Sequence, residues 1–341
     1  MELDEVSLRN TAEGATFLGT GGGGDPYTGR LVAQRVIERY GPPRIIGLDE
    51  LDDEANVYVA AMMGTPAVMV EKIIGAAEMD LSVSALEKYT GRPADAIIAA
   101  EMGGCNSMVP LAVTFNVHGV NASPMSMANE HGESIIINAR NSHETELKAR
   151  SLIIEMGGTA AISAYPMDGR TAKKVAIPGT LTLALQIGNA LEEGRRQGRA
   201  VAALIEFLRS TEYYGHARQL FEGKVTNLDR RIVGGFTRGA CHIRGHGDAA
   251  PTMVLEYQNE HLVAWIGDEV QAMVPDLVCV LDSDTGTPVT TEGLKYGQRV
   301  SVVAASVPPI MRSDAALATF GPRAFGYDFD FVPVEALAGD R

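Results

Sequence analysis

Hydrophobic and polar positions follow two rhythms along the chain, and the change falls near residue 218. Before it, segments with apolar residues three and four apart alternate with short, almost unbroken apolar runs. Residues 4–18 read as a helix that runs into "FLGTGGGGDPYTG" (17–29). A second helix over 28–40 places Val32, Val36 and Tyr40 on one face and stops at Gly41. Apolar runs follow at "RIIGL" (44–48), "NVYVAAMMG" (56–64), "AIIAAEMGG" (96–104), "ESIIINA" (133–139) and "GGTAAISAYPM" (157–167). Helical stretches over 76–90, 107–118 and 143–156 lie between several of them. Runs of this kind alternating with helices predict an α/β domain with a largely parallel sheet buried on both faces.

A longer helical region spans 179–212, with breaks near Gly194 and Gly198. From residue 218 the pattern becomes short strands with turn residues between them, as in "TMVLEYQNEHLVAWIG" and "LVCVLDSDTGTPVTT". That spacing predicts an all-β module, a barrel or sandwich. The tail "ALATFGPRAFGYDFDFVP" is too aromatic to stay solvated and is expected to pack back on the body. The predicted organisation is an α/β domain over 1–215 that carries the tail 309–341, and a smaller β-barrel-like domain over 216–308. Met-Gly recurs at 63–64, 102–104 and 156–158, too briefly to make a repeat.

Composition narrows the partners. A net charge of −14 over 341 residues argues against nucleic acid and anionic membranes. No run of about 18 apolar residues exists to span a bilayer. The three cysteines are scattered and form no C-x-x-C pair, which favours a reducing compartment over a disulfide framework. With an acidic, amphipathic N-terminus unlike a signal peptide, the expectation is a cytoplasmic protein that binds a small-molecule substrate. A homo-oligomer is expected on general grounds for an acidic enzyme with so apolar a tail.

The chemistry-bearing stretches come next. Gly21, Gly22, Gly23 and Gly24 cost much backbone entropy to order, so they need a reason. The segment before them reads as a helix and the spacing is not G-x-G-x-x-G, which argues against a dinucleotide fingerprint. What remains is a structural turn, or bare backbone N–H groups facing a polar ligand. Asp25, just before Pro26, is either the cap of the next helix or a catalytic carboxylate. Glu101 closes the run "AIIAA" at its carboxyl end, where open α/β sheets place ligands. A charge there must be paired, hydrated or functional. Gly103 and Gly104 permit close approach, and Asn106 or Ser107 would cap the following helix, leaving N–H groups free to face the same crevice. Cys105 is a weaker nucleophile candidate, since no histidine is placed to partner it. Thr180 starts a helix after Lys173 and Lys174, a reasonable carboxylate anchor or simply a capped helix. Asp268 stands in a turn beside Trp265, the only tryptophan. The seven histidines show no metal-ligand spacing, so no metal or cofactor is assigned. A divalent-metal hydrolase using His118, His242 or His246, with Asp248 near the last two, stays open. So does a non-catalytic small-molecule-binding protein.

Taken in order, "LGTGGGGDPYTG", "EMGGCNSMVPL", "AYPMDGR", "AIPGTLTLAL", "WIGDE", "MVPDLVCVLDSDTGTPVTTEGLKYGQRV" and "FGPRAFGYDFDFVP" resemble the S-methyl-thiohydantoin desulfurase family over essentially the whole chain. The resemblance implies an α/β N-terminal domain, a smaller β-barrel-like domain and an active crevice near the glycine loop. It also implies water attack at the sulfur-bearing carbon of a five-membered thiohydantoin-type ring, releasing a thiol and leaving a hydantoin. "NASPMSMANEHGES" (121–134) departs from the family pattern, which commonly has an arginine, an aromatic, a proline and an acidic residue there. For that reaction Glu101 is the expected base and Asp25 its partner or acid. Gly21–Gly24 and the side chain of Asn106 are the expected donors to developing negative charge, and Ser107, Thr180 and Asp268 the remaining substrate contacts.

Overall fold

The computed structural model describes residues 4–64, 68, 71–72, 74–112, 124–247 and 249–337. Its contacts group into two compact units, Met1–Ala15 with Gly23–Leu183, and Thr16–Gly22 with Ala184–Arg341. This partition differs from the boundaries at 215 and 308. The helices after 183 and the aromatic tail both group with the second set of strands, and so does a short piece of the glycine loop.

In the first unit, β1 (Asn56–Gly64), β2 (Ala96–Ala99), β3 (Met125–Ala128), β4 (Ser134–Ile137) and β5 (Thr159–Asp168) form one sheet in the order β2-β1-β5-β3-β4. Only β1 and β2 are parallel; β1–β5, β5–β3 and β3–β4 are antiparallel. The largely parallel sheet expected from the alternation is therefore a mixed one. The connections explain the difference. Helix α3 (Ala77–Thr90) lies between β1 and β2 in the chain, and α4 (Ser142–Glu155) between β4 and β5. Each of these helices joins strands that run the same way, as crossovers require. Yet β5 lies antiparallel beside β1, and β3 sits between β4 and β5, so the two crossovers run in opposite senses.

This arrangement brings the carboxyl ends of β1, β2 and β3 to one edge of the sheet, together with the amino ends of β4 and β5. Met79, Val83 and Leu86 of α3 pack with Tyr58, Ala60 and Met62 of β1. Ala149 and Ile153 of α4 pack with Met63, Met127 and Ala160 in a separate cluster. Burial on both faces explains why these strands read as unbroken apolar runs. β3 escapes that pattern because buried Ser126 interrupts it, its hydroxyl 2.9 Å from that of Ser82 on α3. "RIIGL" forms no strand. After Pro42 and Pro43, which lack N–H donors, the chain runs irregularly into a short 3₁₀ turn over Leu48–Glu50, and Ile46 docks on the core unpaired. Of the helix predicted over 107–118, a 3₁₀ turn over Val109–Ala112 is seen, and 113–118 lie outside the described residues.

Helices α1 (Glu5–Leu18) and α2 (Pro26–Tyr40) flank the glycine loop. After α5 (Gly169–Val175) the long helical region divides into α6 (Thr180–Arg196) and α7 (Ala200–Arg209). The second unit is built on β6 (Arg218–Val233), β7 (Phe236–Arg244), β8 (Thr252–Gln258), β9 (Glu260–Ile266), β10 (Glu269–Met273), β11 (Leu277–Asp282), β12 (Pro288–Val289) and β13 (Arg299–Ala305). They form one antiparallel sheet in the order β10-β9-β8-β7-β6-β13-β11-β12. Among the described residues nothing joins β10 to β12, so the barrel-like expectation gives way to an open sheet. The β12 edge is a two-residue strand beginning with proline, a poor template for further pairing.

The tail covers β9 and β10 of its own unit. Phe329 meets Trp265 edge-on, with ring centroids 5.7 Å apart. Tyr327 and the Trp265 indole both donate to Glu256, at 2.9 and 3.0 Å. Further along, Arg312 bridges Asp276 and Glu335, each at 2.6 Å, and Asp276 also accepts the Val334 N–H at 2.8 Å. Asp276 is fully buried, so this network fixes where the tail turns. Asp276→Ala leaves the Val334 N–H without its acceptor and Arg312 with Glu335 alone, and should cost about 2–3 kcal/mol in urea unfolding.

Candidate functional site

Ala96–Ala99 pairs with β1 residue by residue, and the Ala100 N–H still reaches the carbonyl of Ala60, at 3.1 Å. Beyond that point the main chain of β2 turns away, and a side chain takes its place. Buried Asn106 accepts the Met62 N–H at 2.8 Å and donates to the Met62 carbonyl at 3.2 Å, imitating the next peptide of the ladder. Its remaining N–H donates to Glu101 at 2.7 Å. Asn106 therefore holds Glu101 in place and has no donor left over, contrary to the expectation that it would face a substrate oxygen.

Glu101 is exposed to solvent while protein crowds its carboxyl. The crowding raises its pKa from the usual 4.5; the Asn106 hydrogen bond and the charge of Arg150, on α4, act the other way. Contact with water limits the rise. Arg150 was not legible as a site residue, because its 2.6 Å contact with Glu146 follows the i,i+4 pattern of an ordinary surface pair.

The glycine loop meets this turn directly. A Cβ on Gly23 would lie 2.4 Å from the Gly103 Cα, and one on Gly103 equally close to Gly23. The Gly23 carbonyl accepts the N–H groups of Cys105 and Asn106, at 2.9 and 3.0 Å. The N–H groups that would follow a cap at Asn106 or Ser107 are used within the turn: Ser107 donates to Gly103, and Met108 and Val109 to Cys105, each at 2.9 Å. What the loop offers instead are the N–H groups of Gly23 and Gly24, which make no hydrogen bond to a described residue.

Asp25 caps α2, accepting the Thr28 N–H at 2.7 Å and the Thr28 hydroxyl at 2.6 Å. Gly29 on that helix lets it lie against Cys105, with 2.6 Å from an added Cβ to the Cys105 Cα. Ser107, also buried, accepts the Gly103 N–H at 3.0 Å and closes the turn. Thr180 is half-buried at the start of α6, and the next residue, Leu181, packs with Met108, Ala33 and Leu8. Lys173 is engaged by Asp53 at 2.7 Å. Glu101, Asn106, Ser107, Gly23, Gly24 and Asp25 are thus gathered by one set of packed segments in the first unit.

Gly21 and Gly22 belong to the second unit. A Cβ on Gly22 would come 2.1 Å from Glu260, and one on Gly21 2.7 Å from the ring of His261. Gly21 accepts the Thr291 N–H at 2.9 Å, and the Gly22 N–H is taken by Gly19 at 2.8 Å. Thr20 and Asn259 hold left-handed backbone here, φ 48° and 61°, uncommon for non-glycine residues. The His261 N–H fixes the first by donating to Thr20 at 2.9 Å. His261 is fully buried, and neither ring nitrogen has a partner in hydrogen-bonding geometry. Burial pushes its pKa down to about 4, with the nearby Thr20 and Val278 carbonyls opposing only part of the shift. Asp268 is not brought here: it is exposed in the β9–β10 turn, at the other end of β9 from His261.

No group of three or more His, Cys, Asp or Glu side chains gathers as a metal centre among the described residues. His118 and Asp248 lie outside them. Cys105, Cys241 and Cys279 are buried and unpaired with one another. No described helix is long and apolar enough to cross a membrane.

A mixed sheet carrying a clamped carboxylate at its edge, followed by an open antiparallel sheet, defines a two-unit α/β protein with one candidate acid–base site. Comparison with known proteins gives the family. The S-Me-THD-like, N-terminal domain matches residues 6–114 and the S-Me-THD-like, C-terminal domain matches 140–334. The chain belongs to the S-Me-THD-like family. A crystal structure of a protein from Chromobacterium violaceum shares the fold, with a TM-score of 0.78 at 21% identity, over 98% of this chain and 100% of that one. No match is found among curated proteins.

Gly23→Ala forces a side chain into the Gly103 backbone at a φ of 72°. It should lower stability in denaturant by about 2–4 kcal/mol. For His261 the folded pKa near 4 lies below the usual 6.5, so the unfolded chain binds the extra proton between those values. Its contribution is intact above pH 6.5 and is lost as pH falls toward 4, by about 3 kcal/mol in all. His261→Leu removes no hydrogen bond made by the ring and should flatten unfolding free energy across that window relative to the unsubstituted protein.

Proposed function

We propose that the chain is a hydrolase acting on a small five-membered thiohydantoin-type ring, with Glu101 as the general base. The observation that carries this reading is the 2.7 Å hydrogen bond from Asn106 to Glu101, made by an amide already locked to both main-chain groups of Met62. A carboxylate held by a rigid donor, open to water and raised above its ordinary value is suited to taking a proton from water. Membership of the S-Me-THD-like family supports this choice of substrate class.

In this scheme Glu101 removes a proton as the water oxygen bonds to the sulfur-bearing carbon, and the ring nitrogen takes up a proton. The tetrahedral intermediate then collapses to a carbonyl, and the carbon–sulfur bond breaks. The sulfur leaves with a proton as a thiol, and the ring remains as a hydantoin. The Gly23 and Gly24 N–H groups are the donors for charge developing on the ring. Asp25, committed to the α2 cap, orients that loop instead of exchanging protons. Each strong donor to such charge contributes about 3–4 kcal/mol.

Hydrolysis of S-methyl-thiohydantoins, followed by thiol release, tests the scheme. Glu101→Gln should fold normally and lose about 10²–10⁴-fold in kcat/KM. The unsubstituted enzyme should show an acid limb above pH 4.5, since protonating Glu101 removes the base. Full turnover by the variant would remove Glu101 from the mechanism.

A further inference from the structure

We propose that two copies of the chain pair through the open edge of β6, antiparallel about a two-fold axis at Arg230, so that the second sheet continues from one copy into the other. On one side β6 meets β13 only over 218–224, and on the other it meets β7 over 224–233. Two further main-chain bonds carry the β13 side one residue on: Val225 donates to Gln298 at 2.9 Å, and Gly297 donates to Val225 at 2.8 Å. A register shift between Val225 and Asn227 then marks the point where β6 runs on with β7 alone. From 226 to 233, no described main-chain group outside β7 bonds to the main chain of β6.

The other edges of this sheet are blunted. β12 is two residues long and begins with proline, and the aromatic tail packs over β10. Along 226–233 there is no proline, and Ile232 and Val233 are 61% and 48% exposed. An exposed row of unpaired N–H and carbonyl groups is a template for another strand. The charges of Asp229, Arg230 and Arg231 deter an unrelated strand, but their order suits a second copy of this one.

The backbone limits the registers, and charge selects among them. The Asp229 carbonyl points to the β7 side: a Cβ on Gly239 would lie 1.9 Å from it, and it accepts the Tyr257 hydroxyl at 2.6 Å. By alternation, Leu228, Arg230 and Ile232 turn their N–H and carbonyl groups to the open side. An antiparallel partner must match these residues with one another. Centred on Arg230, the pairing sets Leu228 opposite the partner's Ile232 and Asp229 opposite the partner's Arg231, each contact occurring twice by symmetry. Moving the axis by one residue sets Asp229 against Asp229, or Arg231 against Arg231, which repel. Asp229 and Arg231 already touch at 2.9 Å within one chain, so the pairing joins two such pairs into one alternating cluster. At the axis two arginines meet, but the Arg230 guanidinium is drawn to its own loop. It donates to the Thr291 carbonyl at 2.5 Å, within reach of the Glu292 charge. About six main-chain hydrogen bonds form across the edge.

Sedimentation velocity on the full chain should show a dimer that dissociates on dilution. Asp229→Arg or Arg231→Glu alone should weaken it about tenfold, and an equimolar mixture of the two variants should restore it. Within either variant chain, positions 229 and 231 carry like charges, so recovery can come only from pairing between chains. The native cysteines are buried. Arg230→Cys should therefore give an intermolecular disulfide on mild oxidation, because opposed residues of a hydrogen-bonded pair stand about 5.5 Å apart. Thr226→Cys, about eight residues from its own copy in this register, should not. A monomer at every concentration up to about 100 μM, a mixture no tighter than its components, or an Arg230→Cys variant that does not cross-link would overturn the proposal.

Discussion

The first unit depends on one close approach, the backbone of Gly23 lying against that of Gly103. At a separation that excludes any Cβ, the Gly23 carbonyl reaches two consecutive N–H groups of the turn after β2. The turn would otherwise expose those donors, as every helical start does. With them satisfied from within the chain, the segment 101–107 is pinned, and the Asp25 cap and α2 are pinned with it. The cost in glycine entropy is offset by two hydrogen bonds and by contact between two loops far apart in sequence.

Asn106 converts that fixed turn into a chemical environment. Where β2 ends, its amide continues the hydrogen bonding of β1 and spends its last donor on Glu101. A side chain that replaces a peptide is held as firmly as the sheet, so the carboxylate it orients inherits that rigidity. Crowding and the hydrogen bond then pull the acidity of Glu101 in opposite directions, and crowding is the larger of the two.

The other half of the glycine loop obeys the same rule with different partners. Gly21 and Gly22 are small because His261 and Glu260 stand against them, and Thr20 tolerates a strained backbone because His261 bonds to it. Four glycines that read as one element thus answer to two separate packing demands. A run of one residue type carries no mark of where one demand ends and the next begins.

Much of the architecture was legible because it rests on local physics. Strand β1 begins and ends where the run "NVYVAAMMG" does, and α3 and α4 fall within a residue of their predicted spans, since burial periodicity and capping are written in neighbouring residues. Glu101 stood out for a similar reason, as a charge at the end of an apolar run. The order and direction of strands were another matter. Each crossover fixes only the relative sense of the two strands it joins, so the antiparallel pairing of β1 with β5 had no local signature. Nor did the occupation of the turn's N–H groups by Gly23 or the commitment of Asn106 to Met62. The sequence by itself determined elements such as β1, α3 and α4, whose burial pattern is local, and which carboxylate ends up at a sheet edge. Only the tertiary structure decided what fills each hydrogen-bonding group, because those partners come from segments tens of residues away.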